Sequence, residues 1–163
     1  MKRMEHGAGL YLTTSEATAR YYARGGGQVL RFELDPEIVA LGDTRIDARI
    51  LADFVRDAPR LRHRKEILAD LSRASDRSWE ARSSRAIMAG TLVNLLHHYK
   101  VLTGSMGPAV AQFYVSQGID GDWIRPTSSN DPAEWWLVLF NLAKIRRIWF
   151  AYSRVTRLAP ARS

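Results

Sequence analysis

Apolar and polar positions alternate in one stretch of this chain and cluster in others. Leu30, Phe32 and Leu34 alternate with Arg31 and Glu33, the period-two pattern of a strand with one buried face. Glu134-Trp135-Trp136-Leu137-Val138-Leu139-Phe140-Asn141 predicts the strongest strand, and Ile145 to Tyr152 predicts another. Leu10-Tyr11-Leu12 reads as a short strand after Gly7 and Gly9, and Gly118-Ile119-Asp120-Gly121 as a turn into a brief strand over 121–124. Between these ends the period changes. Ile46, Ile50, Leu51, Phe54 and Val55 recur at helical spacing, Leu61, Ile67, Leu68 and Leu71 continue after Pro59, and a polar gap over Ser72–Ser78 precedes a third helix carrying Ile87, Met88, Leu92, Leu95 and Tyr99.

Local signals punctuate the pattern. Thr13 and Glu16 have capping-box spacing, with Thr13 the expected N-cap of a helix that Arg24-Gly25-Gly26-Gly27 stops. Pro108 suits the first position of a helix ended by Gly118. Strands, then helices, then strands predict an α+β fold in one domain over 1–163, with a helical insertion over about 46–103 and a basic tail over about 153–163.

Composition narrows the chemistry. A length of 163 residues suits one domain. There is no cysteine, which excludes disulfides, cysteine–zinc sites and a thiol nucleophile. The four histidines include an adjacent pair, His97-His98, which diverges by about 100° on a helix and does not suit one metal. No metal site is expected. No apolar run approaches 18 residues and the N-terminus lacks a secretory apolar region, so neither a membrane span nor a signal peptide is expected, and a cytoplasmic site of action is. The formal charge of +7 favours an anionic partner such as nucleic acid, a phosphate-bearing ligand or an acidic protein. Arg60, Arg62, Arg64 and Lys65 concentrate that charge on one helical face, where nucleic acid, an acidic antitoxin or plain solvation all fit.

Three features stand in a telling order. Gly7-Ala8-Gly9-Leu10-Tyr11-Leu12-Thr13 is followed by a helix with Tyr22, eleven residues after Tyr11. Gly118-Ile119-Asp120-Gly121 precedes a short strand. Glu134 then leads a strand that ends in Phe140-Asn141. This order resembles the ADP-ribosyltransferase fold, the group of diphtheria-type toxins and poly-ADP-ribose polymerases, in its His-Tyr-Glu branch. The resemblance implies a split β-sheet core and NAD as substrate. Tyr11 and Tyr22 would sandwich nicotinamide, Gly9 would let backbone approach the amide, and His6 is the histidine available upstream. Glu134 would stabilise positive charge developing on the ribose. Arg20 and Arg24 are candidates for the pyrophosphate.

The resemblance implies a mono-ADP-ribosyltransferase, a bacterial toxin or effector with a protein or nucleic-acid acceptor and an acidic antitoxin or immunity protein as neutralising partner. Pro132, two residues before Glu134, stands where arginine-modifying members carry a second glutamate, which disfavours arginine as acceptor. Two alternatives remain. One is a catalytically degenerate binding module of the same fold, because the family's first motif is missing. The other is a basic ribonuclease-type toxin, suggested by the charge.

Overall fold

The computed structural model describes residues 8–23, 27–77, 86–127 and 131–150. They form a mixed α+β structure. In chain order the elements are β1 (Leu10–Thr13), α1 (Glu16–Tyr22), β2 (Leu30–Leu34), a 3-10 turn (Leu41–Asp43), β3 (Arg45–Asp47), α2 (Ala48–Asp57), α3 (Arg64–Arg77), β4 (Ala86–Met88), α4 (Gly90–His98), α5 (Met106–Ser116), β5 (Gly121–Ile124), β6 (Trp136–Leu139), a second 3-10 turn (Leu142–Lys144) and β7 (Ile145–Phe150). The strands make three antiparallel groups: β1-β6-β5, β2-β7 and β3-β4. No helix among the described residues is long and apolar enough to cross a membrane.

The helices build the main core. Leu51 and Val55 lie four apart on α2, and Ile67 and Leu71 four apart on α3, so each pair occupies one helical face. All four are buried, together with Leu92 and Leu96 of α4 and Val110 and Tyr114 of α5. Fully burying one such side chain is worth roughly 1.5–3 kcal/mol. The Tyr114 hydroxyl donates to the Ala89 carbonyl at 2.7 Å, and burial pushes this phenol far above its ordinary value. Its ring stacks on Phe140 at 5.9 Å, which ties the helical core to the end of β6.

Several boundaries differ from the sequence pattern. Ser15, not Thr13, caps α1, its hydroxyl accepting from the Thr18 N–H at 3.2 Å. Thr13 is still paired in β1, opposite Trp136. The polar run after Leu71 does not end α3, which continues to Arg77. Those residues contain neither glycine nor proline, and polarity alone does not break a helix. Ile46 and Ile87 are not helical. They face each other across β3 and β4, both buried, so the segment over 46–103 carries strands as well as helices. Pro108 is the third residue of α5. The ladder of β6 begins at Trp136, leaving Glu134 and Trp135 as its lead-in.

One buried carboxylate joins the parts. Asp120 is 4% exposed. Its Oδ2 accepts from the Val39 N–H at 3.0 Å and lies 3.4 Å from Lys144 Nζ, while Oδ1 accepts from Asn141 Nδ2 at 2.7 Å. Its own carbonyl accepts from the Phe140 and Asn141 N–H groups. The segment before the first 3-10 turn, the start of β5 and the end of β6 therefore meet on one residue. Asp120→Ala leaves the main-chain bonds in place but strands the Val39 N–H, the Asn141 amide and the Lys144 ammonium. Chemical denaturation is expected to show a loss of roughly 3 kcal/mol, the range for a buried group that loses charge-assisted partners. A loss below about 1 kcal/mol would contradict the role.

A second carboxylate sets an acid limit. The Tyr99 hydroxyl donates to Asp70 Oδ2 at 2.7 Å, and Arg73 pairs with the same carboxylate. The phenol bond first, and the arginine behind it, hold Asp70 below the usual carboxylate range. A folded value lowered in this way contributes stability above the ordinary aspartate pKa of about 3.9, and that stability is lost as pH falls through the folded value. The stability gap between wild type and Tyr99→Phe is therefore expected to be full near neutrality and to close in acid. Denaturation curves at pH 6 and below pH 3 measure it, and a gap that widens in acid would reject the assignment.

Candidate functional site

The site is built around Glu134. An Asx turn delivers it: Asp131 Oδ1 accepts from the Ala133 N–H at 2.8 Å, and the Asp131 carbonyl accepts from the Glu134 N–H at 3.1 Å. The following residue locks the strand entry. Thr14 N–H donates to the Trp135 carbonyl at 3.0 Å, and Trp135 N–H donates to Thr14 Oγ1 at 2.9 Å.

Strand alternation then places Glu134 and Trp136 on one side, and the β1–β6 register places Thr13 opposite Trp136. The consequence is a compact cluster. Glu134 is 4% exposed. Its Oε1 accepts from Thr13 Oγ1 at 2.9 Å and from the Trp136 indole Nε1–H at 2.8 Å. Two donors on one oxygen fix the carboxylate's rotamer, and a buried carboxylate requires such partners.

Aromatic rings extend the cluster toward solvent. Tyr22, at the end of α1, is 66% exposed and meets Trp136 edge-to-face at 6.2 Å. Tyr21 meets Tyr22 at 5.5 Å, also edge-to-face. Tyr11 is two residues before Thr13, so both side chains leave β1 on the same face, and it is 47% exposed. Glu134, Thr13, Trp136 and Tyr22 thus form one contiguous group, with Tyr11 on the same sheet face. The arrangement sets a buried, oriented carboxylate behind exposed tyrosine rings. Such a surface suits a flat apolar group attached to a polar, hydroxyl-bearing one.

Other expected site residues fall differently. The close approach that Gly9 permits is to β6: a Cβ there would lie 2.7 Å from the Leu139 carbonyl oxygen and 2.8 Å from Val138 Cγ1. Gly121 does the same from β5, at 2.7 Å from the Val138 carbonyl oxygen. Arg20 is bonded to Glu16, which also holds Arg31. Those two arginines, Arg20 first, keep Glu16 below its ordinary range. His6, Gly7 and Arg24 lie outside the described residues.

The sequence pattern missed Thr13 and Trp136 as partners of the glutamate. Trp136 was legible in principle, because Glu-x-Trp on a strand puts both on one side. Thr13 was not, because its place depends on a register across 121 residues of separation. Comparison of the chain with protein-family models, with curated proteins and with solved structures finds no match in any of the three.

Proposed function

We propose that this chain is an NAD-dependent mono-ADP-ribosyltransferase, with the sheet β1-β6-β5 as part of an ADP-ribosyltransferase-like split core. The observation that carries the reading is the Thr13–Glu134–Trp136 cluster beside exposed Tyr11 and Tyr22. Nicotinamide is flat and stacks on aromatic faces, which Tyr11, Tyr22 and Trp136 supply. The ribose bears hydroxyls and becomes cationic as the glycosidic bond breaks. On this reading Glu134 accepts from a ribose hydroxyl and offsets that charge.

In the reaction the C1′–N bond breaks, its electron pair leaves with neutral nicotinamide, and an acceptor nucleophile bonds to C1′ and releases its proton. Holding the carboxylate in one rotamer lowers the reorganisation needed in that step. The net charge of +7 supports a macromolecular acceptor with anionic character, protein or nucleic acid, and an acidic neutralising partner, as in a toxin or effector acting in the cytoplasm.

One observation favours a second reading. Oε1 of Glu134 already accepts two hydrogen bonds, as in a purely structural carboxylate. On that reading the same surface binds NAD without turning it over.

The isosteric variant separates the readings. In Glu134→Gln the amide oxygen still accepts from Thr13 and Trp136, so melting temperature and circular dichroism are expected to stay near wild type. Release of nicotinamide from NAD, followed by chromatography with candidate acceptors present, is expected to fall at least about 100-fold, close to 2.7 kcal/mol of transition-state stabilisation. Saturable NAD binding without nicotinamide release by the wild type would support the binding module. Release unchanged in Glu134→Gln would reject the role of Glu134.

A further inference from the structure

A cavity of about 420 Å³ opens elsewhere in the molecule, between the α2–α3 connection and the loop leading into α5. Arg60, Arg62, Thr103 and Ser105 line it, over apolar walls that include Leu61 and Val101. None of its lining residues belongs to β1, α1 or β6, so it is separate from the Glu134 cluster. Its volume falls within the range of small-molecule sites, about 300–1,000 Å³.

Three features give this cavity a chemical preference. The first is unspent charge. Arg20, Arg31, Arg49, Arg56 and Arg73 each pair with a carboxylate. Arg60 and Arg62, like Arg64 and Arg125, have no carboxylate pairing among the described residues, and both border the same cavity. The second is backbone conformation. The non-glycine described residues with left-handed backbone are Arg60 (φ 56°), His63 (φ 56°) and Lys100 (φ 55°), all in the two connections that flank the cavity. Such residues are uncommon and gather where a loop is held for a purpose. The third is how the loops are held. The His63 and Tyr99 rings stack at 5.5 Å across the two connections, and Arg64 Nη2 donates to the Ala58 carbonyl at 2.5 Å beneath the turn. Arg64 Nε is buried without a hydrogen-bond partner, an unfavourable group beside the turn.

We infer that this cavity binds a small phosphate monoester with an apolar or aromatic body, the class to which nucleoside monophosphates belong. Two guanidinium groups and two hydroxyls at one cavity are the donor types a phosphate takes. The Leu61 and Val101 walls take the body. The basic run in the sequence is, on this view, a small-ligand site and not only a solvated face.

Isothermal titration of the whole chain tests this with four probes: adenosine monophosphate, inorganic phosphate, adenosine and a short single-stranded RNA. The monophosphate is expected to bind saturably and more tightly than phosphate or adenosine alone, with affinity falling as salt rises. The double variant Arg60→Ala, Arg62→Ala is expected to weaken it at least tenfold. Both side chains are exposed, so circular dichroism and melting temperature should not move. Leu61→Ala, which strips side-chain surface from the apolar wall, is expected to weaken the monophosphate more than inorganic phosphate. Absence of saturable monophosphate binding, binding unaffected by the arginine variant, or RNA bound without the monophosphate would each overturn the inference.

Discussion

Strand β6 lies between β1 and β5 and is tied at each end by a buried carboxylate. Before the strand, Glu134 draws in the Thr13 hydroxyl and the Trp136 indole. After it, the Asp120 carboxylate accepts from the Asn141 side-chain amide and the Val39 N–H, while the Asp120 main-chain carbonyl takes the Phe140 and Asn141 N–H groups. Leu137, Val138 and Leu139 between them are almost wholly buried, and glycines at 9 and 121 let both neighbouring strands press against them. Register in such a strand is tightly constrained, because a slip of one residue would turn every side chain to the opposite face. It would also pull both carboxylates from their donors.

The candidate site depends on that constraint. Thr13 reaches Glu134 only because β1 pairs with β6 in the observed register, and Tyr11 shares the face only because it stands two residues from Thr13. Tyr22 arrives by a different route. Ser15 caps α1 and sets where the helix begins, and one further helical turn beyond Thr18 carries Tyr22 onto Trp136. The exposed rings are therefore supported by buried, hydrogen-bonded structure. That is the division of labour expected where a rigid shell holds a contact surface.

Local pattern revealed some of this and not the rest. Alternation marked β2, runs of large apolar residues marked β6 and β7, and the Gly-Ile-Asp-Gly turn stood where β5 begins. Glu134 was conspicuous because a carboxylate leads a run of large apolar residues. The capping residue was misplaced because Thr13, Thr14 and Ser15 are all competent caps, and only the end of strand pairing decides among them. Ile46 and Ile87 looked helical because a three-residue strand is too short to show its own period. The hub at Asp120 was invisible, since its partners come from positions 39, 140, 141 and 144. The cavity at Arg60 and Arg62 was half visible: the charge was plain, but the loop that closes it lies some forty residues away in sequence.

The Trp136 indole N–H reports directly on the central claim, because it bonds the carboxylate and touches the ring that would hold nicotinamide. Its resonance in a 15N-labelled sample, assigned by its disappearance in Trp136→Phe, can be followed during titration with NAD. If Glu134, Trp136 and Tyr22 form the nicotinamide–ribose surface, that resonance shifts saturably with NAD, and shifts much less with adenosine monophosphate. An indole signal that stays still at saturating NAD, or that responds equally to both ligands, would contradict it.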